Sequence, residues 1–468
     1  MASFLIAAAT SNSGKTTITM GLLRALRNRG LKVQPFKCGP DYIDPMFHSM
    51  ASGNDSVNLD TWMASPEQMA NMFHTYAKDA NVCVVEGVMG LYDGYDKWHG
   101  SSGEIAAMLD IPVILVVNAK SAAYSVAPLI YGFKNAPIIP CEDGTRKPVN
   151  IAGVIFNMVA SESHFKYLKE ACDDISVPCL GYVAKNPALV VPSRHLGLTI
   201  TAKEETERLI QLAAEEVERG VNIESFLNEE RVFNEELGMR NEELLLSRSI
   251  PLSKTMVKGE NNAISLDEKT NHSSFLIPNS SLKTNSSLKS VAIARDEAFN
   301  FIYRNNIDVL RNMGEVRFFS PLRDKELPEC DLLYLPGGYP ELFADDLVKN
   351  EQMRQSIRRF AENGGHIYAE CGGFMYLCNQ IDDAPMCGVF PFIATMEGAH
   401  LHLGYRLMER DGAVIKGHEF HYSCIKPIVE MPDSITVERC QRSAKGTPVD
   451  TAIYHYKNVT AGYTHWYF

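Results

Sequence analysis

The sequence lacks an apolar run of about 18 residues, the length that a membrane-spanning helix needs. Basic residues are also in deficit: 45 Lys and Arg stand against 57 Asp and Glu, which gives a net charge of -12 at pH 7. That balance argues against a general nucleic-acid binder, although it leaves room for a local basic pocket. The stretch from Met1 to Gly14 has no basic region ahead of its apolar residues, so we expect no signal peptide.

The cysteines do not form a recognisable disulfide framework. There are 11 of them, an odd number, and they are scattered through 468 residues. We therefore expect a cytoplasmic protein. The length predicts two or three domains, and the 45% apolar content is enough to build a core in each.

The first half of the chain alternates short apolar runs with helical patterns. Apolar runs without polar alternation are typical of parallel strands covered on both faces, and they occur at 3–9, 33–36, 81–85, 111–117 and 151–156. Helical patterns between them, the first at 15–28, imply right-handed crossovers. This half is therefore predicted to be an α/β fold with a doubly wound parallel sheet.

A polar segment divides the chain. A charged helical stretch at 201–228 closes the first half, and the residues that follow become rich in Ser and Asn. The strand pattern then restarts, with predicted strands at 291–296, 331–335 and 365–369 and helices at 298–313 and 351–363. We predict one domain over 1–228, a linker or loosely packed insertion over 229–290, and a second α/β domain over 291–468.

Residues 9–16, ATSNSGKT, match the phosphate-loop pattern except that Ala9 replaces the leading glycine. Such a loop turns backbone N–H groups inward at a helix N-terminus, its lysine reaches the outer phosphates, and its hydroxyl can bind Mg²⁺. Nucleotide binding is therefore assigned to Ser13, Gly14, Lys15, Thr16 and Thr17. The alternative is a polar strand–helix turn with a chance GKT.

Carboxylates follow two neighbouring predicted strands. Glu86 ends a buried strand, where it can reach a metal beside the phosphate loop. The segment KCGPDYIDP (37–45) contributes Asp41 and Asp44, which in isolation would be turn or capping residues but beside a phosphate loop favour metal binding. Asp93 serves either a turn or the same site.

The second half contains a nucleophile elbow. A predicted strand leads into Cys371 and two glycines, and a helix-like segment, FMYLCNQ (374–380), follows. Such a turn exposes the thiol, and the helix N-terminus lowers its pKa; the alternative is a buried small hydrophobic residue. The candidate bases are His418, His421 and His465, and the segment PGGYPE (336–341) can offer N–H groups to an oxyanion.

Residues 3–200 resemble the ATP-dependent amidoligase domain of the cobyrinic acid a,c-diamide synthases, which is related to dethiobiotin synthetase. The segments KCGPDYIDP, VEGVMGLYDG (85–94) and SRHLGL (193–198) carry the resemblance. It implies a Mg²⁺ site formed by Thr16, Asp41 and Glu86. It also implies a carboxylate-activation site, to which we assign Lys37, Tyr42, Asp44, Asp93 and Arg194, with a surface position as the alternative for Arg194.

Two asparagines are treated separately. The resemblance suggests that Asn157 contacts the adenine, and the alternative is a strand-end asparagine that caps the next helix. Asn118 stands where we expect an aspartate in the family, and we give it no role.

The second domain resembles a class I glutamine amidotransferase domain of the cobyric and cobyrinic acid synthase type. This implies that Cys371 attacks the glutamine amide and that His465 is its base, while His418 and His421 are structural or substrate-side. The general class has a glutamate two residues after the histidine, where this sequence has Tyr467. Either a Cys–His dyad suffices, or another group orients His465.

Together the resemblances imply ATP-driven, glutamine-dependent amidation of the a and c acetate groups of a corrinoid through an acyl phosphate. Mg²⁺ is the implied cofactor, and the implied small-molecule partners are ATP, L-glutamine and a tetrapyrrole polycarboxylate, with a homodimer as an option. Alternatives are the same reaction on nickel-sirohydrochlorin or hydrogenobyrinate, or a cobyric acid synthase, which the two loop segments disfavour. A different class, a phosphate-loop scaffold ATPase with a non-catalytic second domain, also stays open.

Overall fold

The computed structural model describes residues 2–140, 145–189, 200–227, 288–410 and 412–468. Most of the predicted connector therefore lies outside the described residues, as does Arg194. No helix within the described ranges is long and apolar enough to span a membrane.

The first domain contains a seven-stranded, wholly parallel sheet in the order β3-β2-β4-β1-β5-β8-β9. Its strands are β1 Ala2–Ala8, β2 Val33–Cys38, β3 Val57–Leu59, β4 Val82–Glu86, β5 Val113–Asn118, β8 Ile151–Val159 and β9 Cys179–Ala184, and a small hairpin pairs β6 Ile139–Pro140 with β7 Arg146–Lys147. The apolar runs form the expected strands because both sheet faces are covered, and the predicted doubly wound sheet is confirmed.

The helices of this domain divide between the two faces of the sheet. They are α1 Lys15–Asn28, α2 Ile43–Ser52, α3 Pro66–Ala77, α4 Ser102–Leu109, α5 Val126–Asn135, α6 Glu162–Asp174, α7 Ile200–Gly220 and α8 Glu224–Leu227, with a 3₁₀ turn at Pro187–Leu189. Helices α1 and α7 share one apolar cluster with Phe4 and Ile6 of β1, whereas α3 to α6 share another with Leu5 and Ala7. The charged helix predicted over 201–228 is interrupted after Gly220.

The second domain contains a seven-stranded mixed sheet in the order β11-β10-β12-β13-β23-β22-β20. Its strands are β10 Ser290–Ala294, β11 Glu315–Phe319, β12 Leu332–Leu335, β13 His366–Glu370, β20 Ile435–Glu438, β22 Ile453–Tyr456 and β23 Val459–Gly462. The pairs from β11 to β23 are parallel, and the last two are antiparallel.

Two smaller sheets complete this domain, in the orders β15-β14-β16-β19 and β21-β17-β18-β24. Their strands are β14 Cys378–Ile381, β15 Ala384–Pro385, β16 Phe390–Thr395, β17 His402–Arg410, β18 Ala413–His421, β19 Cys424–Pro427, β21 Arg442–Ser443 and β24 His465–Tyr467. The helices are α9 Arg304–Met313, α10 Ala344–Lys349, α11 Glu351–Glu362 and α12 Gly372–Leu377, with a 3₁₀ turn at Pro340–Phe343.

Two predicted helices were too long. The helix expected over 298–313 begins only at Arg304, because the Asp296 carboxylate accepts the N–H groups of Ala298 and Phe299 in a turn. The helix expected over 374–380 ends at Leu377, and the next residues form β14.

The two domains pack directly against each other. Tyr405 of β17 donates a hydrogen bond to Asp60 at 2.7 Å, and Lys416 of β18 donates one to the carbonyl oxygen of Trp62 at 2.8 Å. Tyr303 joins the apolar cluster of the first domain. This interface brings the carboxyl-end edge of the first sheet close to the second domain.

Candidate active sites

The phosphate loop opens α1 as predicted. Gly14 has φ 90°, and a Cβ there would lie 2.0 Å from Nδ2 of Asn157, so only glycine fits. The Ser13 hydroxyl donates to the carbonyl oxygen of Thr10 at 2.8 Å, which closes the loop. Lys15 donates to the carbonyl oxygen of Met89 at 2.6 Å, and burial lowers the pKa of this lysine.

Glu86 is the centre of the carboxylate cluster. Its side chain at the end of β4 is 1% exposed, and its two oxygens accept hydrogen bonds from Thr16 Oγ1 at 2.8 Å and from His48 Nε2 at 2.6 Å. Burial alone would raise the pKa of Glu86, but the charges of Lys37 and His48 hold it well below its usual range. Glu86 is therefore an ionised carboxylate beside the phosphate loop.

The loop 37–45 folds back on this cluster. Lys37 Nζ lies 3.3 Å from Asp44 Oδ2 and 3.8 Å from Glu86 Oε1. Burial would lower the pKa of Lys37, but these carboxylates raise it above its usual range. Asp41 accepts the N–H groups of Ile43 and Asp44 at the start of α2, and burial together with Asp44 raises its pKa.

The remaining predicted residues occupy different surroundings. Asp93 accepts the N–H of Gly90 at 3.0 Å and so shapes its own turn. Asn157 donates to the carbonyl oxygen of Ser13 at 3.0 Å and accepts the N–H of Met158, so its amide holds the phosphate loop. Thr17 is buried within α1.

The donors around Glu86 suit Mg²⁺, which prefers hydroxyl and carboxylate oxygens. Oγ1 of Thr16 and Oε1 of Glu86 are 2.8 Å apart. Adjacent ligands of an octahedral Mg²⁺ site are about 2.9 Å apart, given metal–oxygen bonds of about 2.0–2.1 Å. Asp41 and Asp44 add carboxylates in the neighbouring loop.

The predicted elbow is present between β13 and α12. Cys371 adopts φ 46° and ψ -107°, a positive-φ conformation that is unusual for a residue with a side chain. Its N–H donates to the carbonyl oxygen of Gly462, and its Sγ lies 3.9 Å from the carbonyl oxygen of Phe420. Burial, with Glu341 nearby, raises the pKa of this thiol, contrary to the predicted lowering by the helix N-terminus. The helix α12 has only six residues.

Glycines 337 and 338 lie between the elbow and the histidine. A Cβ at Gly337 would lie 2.3 Å from Cε1 of His465, and one at Gly372 would lie 2.8 Å from the carbonyl oxygen of Gly338. The predicted oxyanion segment thus contacts both sides of the candidate glutaminase site through its backbone.

His465 is buried, and neither ring nitrogen has a hydrogen-bond partner among the residues that the structure describes. Its ring stacks on His418 with centroids 5.1 Å apart. Nδ1 of His418 is 2.8 Å from the hydroxyl of Tyr303, and burial lowers the pKa of His418 well below its usual value. His421 is bound to Glu419 and to the carbonyl oxygen of Ser423. Of the three candidate bases, His465 alone thus has no hydrogen bond on either ring nitrogen among the described residues.

Tyr42 links the two sites. It precedes α2, beside Asp41, but its ring packs against the second domain, with centroid distances of 5.2 Å to Phe301, 4.6 Å to Tyr303 and 5.1 Å to His465. Asp41 and Tyr42 also line a cleft of about 460 Å³ between the domains. Its wall carries four basic residues, Lys203, Arg295, Arg304 and Arg323, and four acidic ones, Asp41, Asp55, Asp296 and Glu297.

Sequence reasoning missed two buried partners of the predicted residues. His48 binds Glu86, and its spacing of four residues from Asp44 on α2 was the available signal, because residues four apart share a helix face. Glu370, adjacent to the nucleophile, has its Oε2 3.6 Å from Nδ1 of His465. The sequence shows that Glu370 stands next to Cys371, but it does not show that the Glu370 side chain points toward His465.

Comparison with known proteins identifies both halves. Residues 4–198 match the model of the CobQ/CobB/MinD/ParA nucleotide binding domain, and residues 290–468 match the CobB/CobQ-like glutamine amidotransferase domain. The first domain is therefore a nucleotide-binding domain, and the second is a glutamine amidotransferase domain. This combination disfavours a scaffold ATPase with a non-catalytic second half.

Relatives extend along nearly the whole chain. The cobyrinate a,c-diamide synthase of Fusobacterium nucleatum is 38% identical over 100% of this chain and 98% of its own length. That of Methanocaldococcus jannaschii is 37% identical over 93% and 90%, and the hydrogenobyrinate a,c-diamide synthase of Brucella abortus is 38% identical over 91% and 90%. The chain belongs to the cobyrinate a,c-diamide synthase family of ATP-dependent ligases that use glutamine as the amido donor.

Proposed function

We propose that the protein converts cobyrinate to its a,c-diamide, using two glutamines and two ATP. The observation that carries this proposal is the near-complete coverage by relatives named as cobyrinate a,c-diamide synthases. Hydrogenobyrinate is the second candidate, because the Brucella abortus relative is named for it. A homodimer, and a cytoplasmic location, stay predictions.

In the second domain, Cys371 attacks the side-chain amide of glutamine. His465 takes the thiol proton and passes it to the departing ammonia. The glutamyl group remains on Cys371 as a thioester, which water then hydrolyses to glutamate. Gly337 and Gly338 bring backbone N–H groups near the developing oxyanion. The buried, neutral thiol of Cys371 makes such a base necessary, because the thiolate is the nucleophile.

In the first domain, a substrate carboxylate attacks the γ-phosphate of ATP to give an acyl phosphate, and ammonia then displaces the phosphate. A free carboxylate is a poor electrophile, so this activation is required. Lys15 and the N–H groups at the start of α1 bind the phosphates. Thr16, Asp41 and Glu86 would hold Mg²⁺, which neutralises charge on the transferring phosphoryl group. Lys37, Asp44 and Asp93 surround the reacting carboxylate.

The replacement Cys371→Ala tests the division of labour. With glutamine as nitrogen source, we expect no amidation above background, whereas ammonium chloride should restore it, because the ligase site is intact. The products are followed by mass spectrometry, with cobyrinate, hydrogenobyrinate and nickel-sirohydrochlorin assayed in parallel. A wild-type protein that hydrolyses no glutamine with ATP and substrate present would refute the proposal.

A further inference from the structure

A catalytic histidine needs an acceptor on its second ring nitrogen, which fixes the tautomer and stabilises the protonated ring. Two residues after His465 stands Tyr467, whose hydroxyl lies 3.2 Å from Sδ of Met72 in the other domain. Its ring packs on Tyr303. Tyr467 is therefore committed to the domain interface and does not supply that acceptor.

Glu370 lies on the other side of the imidazole. It is 1% exposed at the end of β13, and its Oε2 is 3.6 Å from Nδ1 of His465. Oε1 accepts hydrogen bonds from the Tyr368 hydroxyl at 2.6 Å and from the N–H of Trp466 at 2.9 Å. Oε2 accepts the Tyr334 hydroxyl at 2.8 Å.

These hydrogen bonds show which role the two oxygens of Glu370 have. Every group that bonds to it is a donor, so it acts as an acceptor on both oxygens. Among the described residues, Oε1 has two donors, whereas Oε2 has only the hydroxyl of Tyr334 and so keeps a lone pair for a second donor. Nδ1 of His465, a buried nitrogen with no hydrogen-bond partner among the described residues, lies 3.6 Å from this oxygen. A movement of about 0.6 Å would bring the pair from 3.6 Å to ordinary hydrogen-bond distance.

We propose that Glu370 is the positioning residue for His465, taking the place of the glutamate that the class carries after its histidine. The inference rests on the proposed roles of Cys371 and His465. Nδ1–H donates to Oε2 of Glu370, so Nε2 keeps its lone pair and accepts the proton of the Cys371 thiol. The positive charge that forms on the ring then faces a carboxylate, and it disappears when Nε2 gives the proton to ammonia.

The test compares Glu370→Gln with Glu370→Asp in the full-length protein. The amide keeps the size of the side chain but presents no charge, and we expect kcat for glutamine hydrolysis to fall about 100-fold or more. KM for glutamine should stay within about twofold, because Glu370 does not touch the substrate. Glu370→Asp keeps the charge and should recover part of kcat. Ammonium-dependent amidation, which bypasses the second domain, should be unchanged in both.

The double replacement of Tyr334 and Tyr368 by Phe is the matched control. It removes two donors to Glu370 without touching His465, so it should lower kcat only a few-fold. A fall as large as that of Glu370→Gln, or a Glu370→Gln variant within about threefold of wild type, overturns the inference. Loss of ammonium-dependent amidation in both Glu370 variants also overturns it, because the role is then structural.

The two proposals fail separately. If Cys371→Ala or His465→Ala keeps glutaminase activity, the assignment of the catalytic pair is wrong. If both lose it while Glu370→Gln keeps it, only the role of Glu370 is wrong.

Discussion

At the scale of single residues, Asp41 has two possible uses that the sequence left open. Its carboxylate accepts two N–H groups at the start of α2, which is a capping role, and it also lies beside Lys37 and Asp44. Replacement by Asn keeps an oxygen for the cap but removes the charge. We expect Asp41→Asn and Asp41→Ala to lose amidation with either nitrogen source and to retain glutaminase activity. Full amidation by Asp41→Asn would show that capping is its whole role.

A replacement of Asn157 distinguishes two hypotheses, that its amide holds the phosphate loop and that it contacts the adenine. Its Nδ2 donates to Ser13 of the phosphate loop, so Asn157→Ala leaves a buried carbonyl oxygen without its donor, at a cost of about 1–3 kcal/mol. We expect the affinities for ATP and GTP, measured by calorimetry, to fall together. Asn118→Ala on neighbouring β5 is the control, since the exposed side chain of Asn118 accepts a hydrogen bond only from the N–H of Lys120 among the described residues. A loss of affinity for ATP alone would instead indicate that Asn157 contacts the adenine.

At the scale of elements, the elbow stores backbone strain at the nucleophile. A non-glycine residue in such a conformation costs about 1–3 kcal/mol. Cys371→Gly should therefore be more stable than Cys371→Ala by about 1 kcal/mol, or roughly 2–4 °C in Tm for a domain of this size. Cys378, with φ -63°, is the control site, where Gly should be the less stable replacement. Equal or reversed melting of the two Cys371 variants would contradict the strain.

The sequence predicted elements well where local signals agree with burial. Helix α1 begins and ends where its pattern does, and β1, β4 and β13 differ by one residue at each end. The errors at Ala298 and Cys378 have different causes. At Ala298, the carboxylate of Asp296 two residues earlier accepts the backbone N–H and holds a turn, so the helix starts later. At Cys378, the backbone pairs with β16, and a pairing between two strands is not evident in a local pattern.

At the scale of the whole molecule, the phosphate loop and the elbow could be predicted because each is a contiguous strand–turn–helix. What the sequence could not place is the contact between them. Tyr42 was assigned to the substrate from its position in the loop 37–45, yet its ring lies against His465 across the domain interface. Glu370 was missed for the same reason, since its partner is almost a hundred residues away.

That position puts Tyr42, which follows Asp41 in the sequence, in ring contact with His465 of the other domain. Asp44, two residues further on, lies 3.3 Å from Lys37, which is 3.8 Å from Glu86 beside the phosphate loop. The ring of Tyr42 itself packs against His465. Burial raises the pKa of Tyr42 well above its usual value, so its hydroxyl is uncharged at neutral pH. We expect ammonia made at Cys371 to pass this ring on its way to the carboxylates.

We therefore expect Tyr42→Ala to uncouple the reactions rather than to stop either. With glutamine as donor, the number of glutamines hydrolysed per amide should rise several-fold above that of the wild type, because ammonia escapes through the gap. Ammonium-driven amidation should be retained, and Tyr42→Phe should keep the wild-type ratio because the ring is preserved. Glutamate and amide are measured in the same reaction.

The matched control is Tyr405→Ala, which removes another interface ring, stacked on Trp62 with centroids 4.6 Å apart, without opening the region beside His465. If coupling depends on a ring beside His465 rather than on the total area of the domain interface, the Tyr405→Ala variant should keep the wild-type number of glutamines hydrolysed per amide. If Tyr405→Ala raises the ratio as much as Tyr42→Ala does, coupling depends on domain packing in general. If neither variant changes the ratio, ammonia reaches the first domain by a route that does not pass Tyr42.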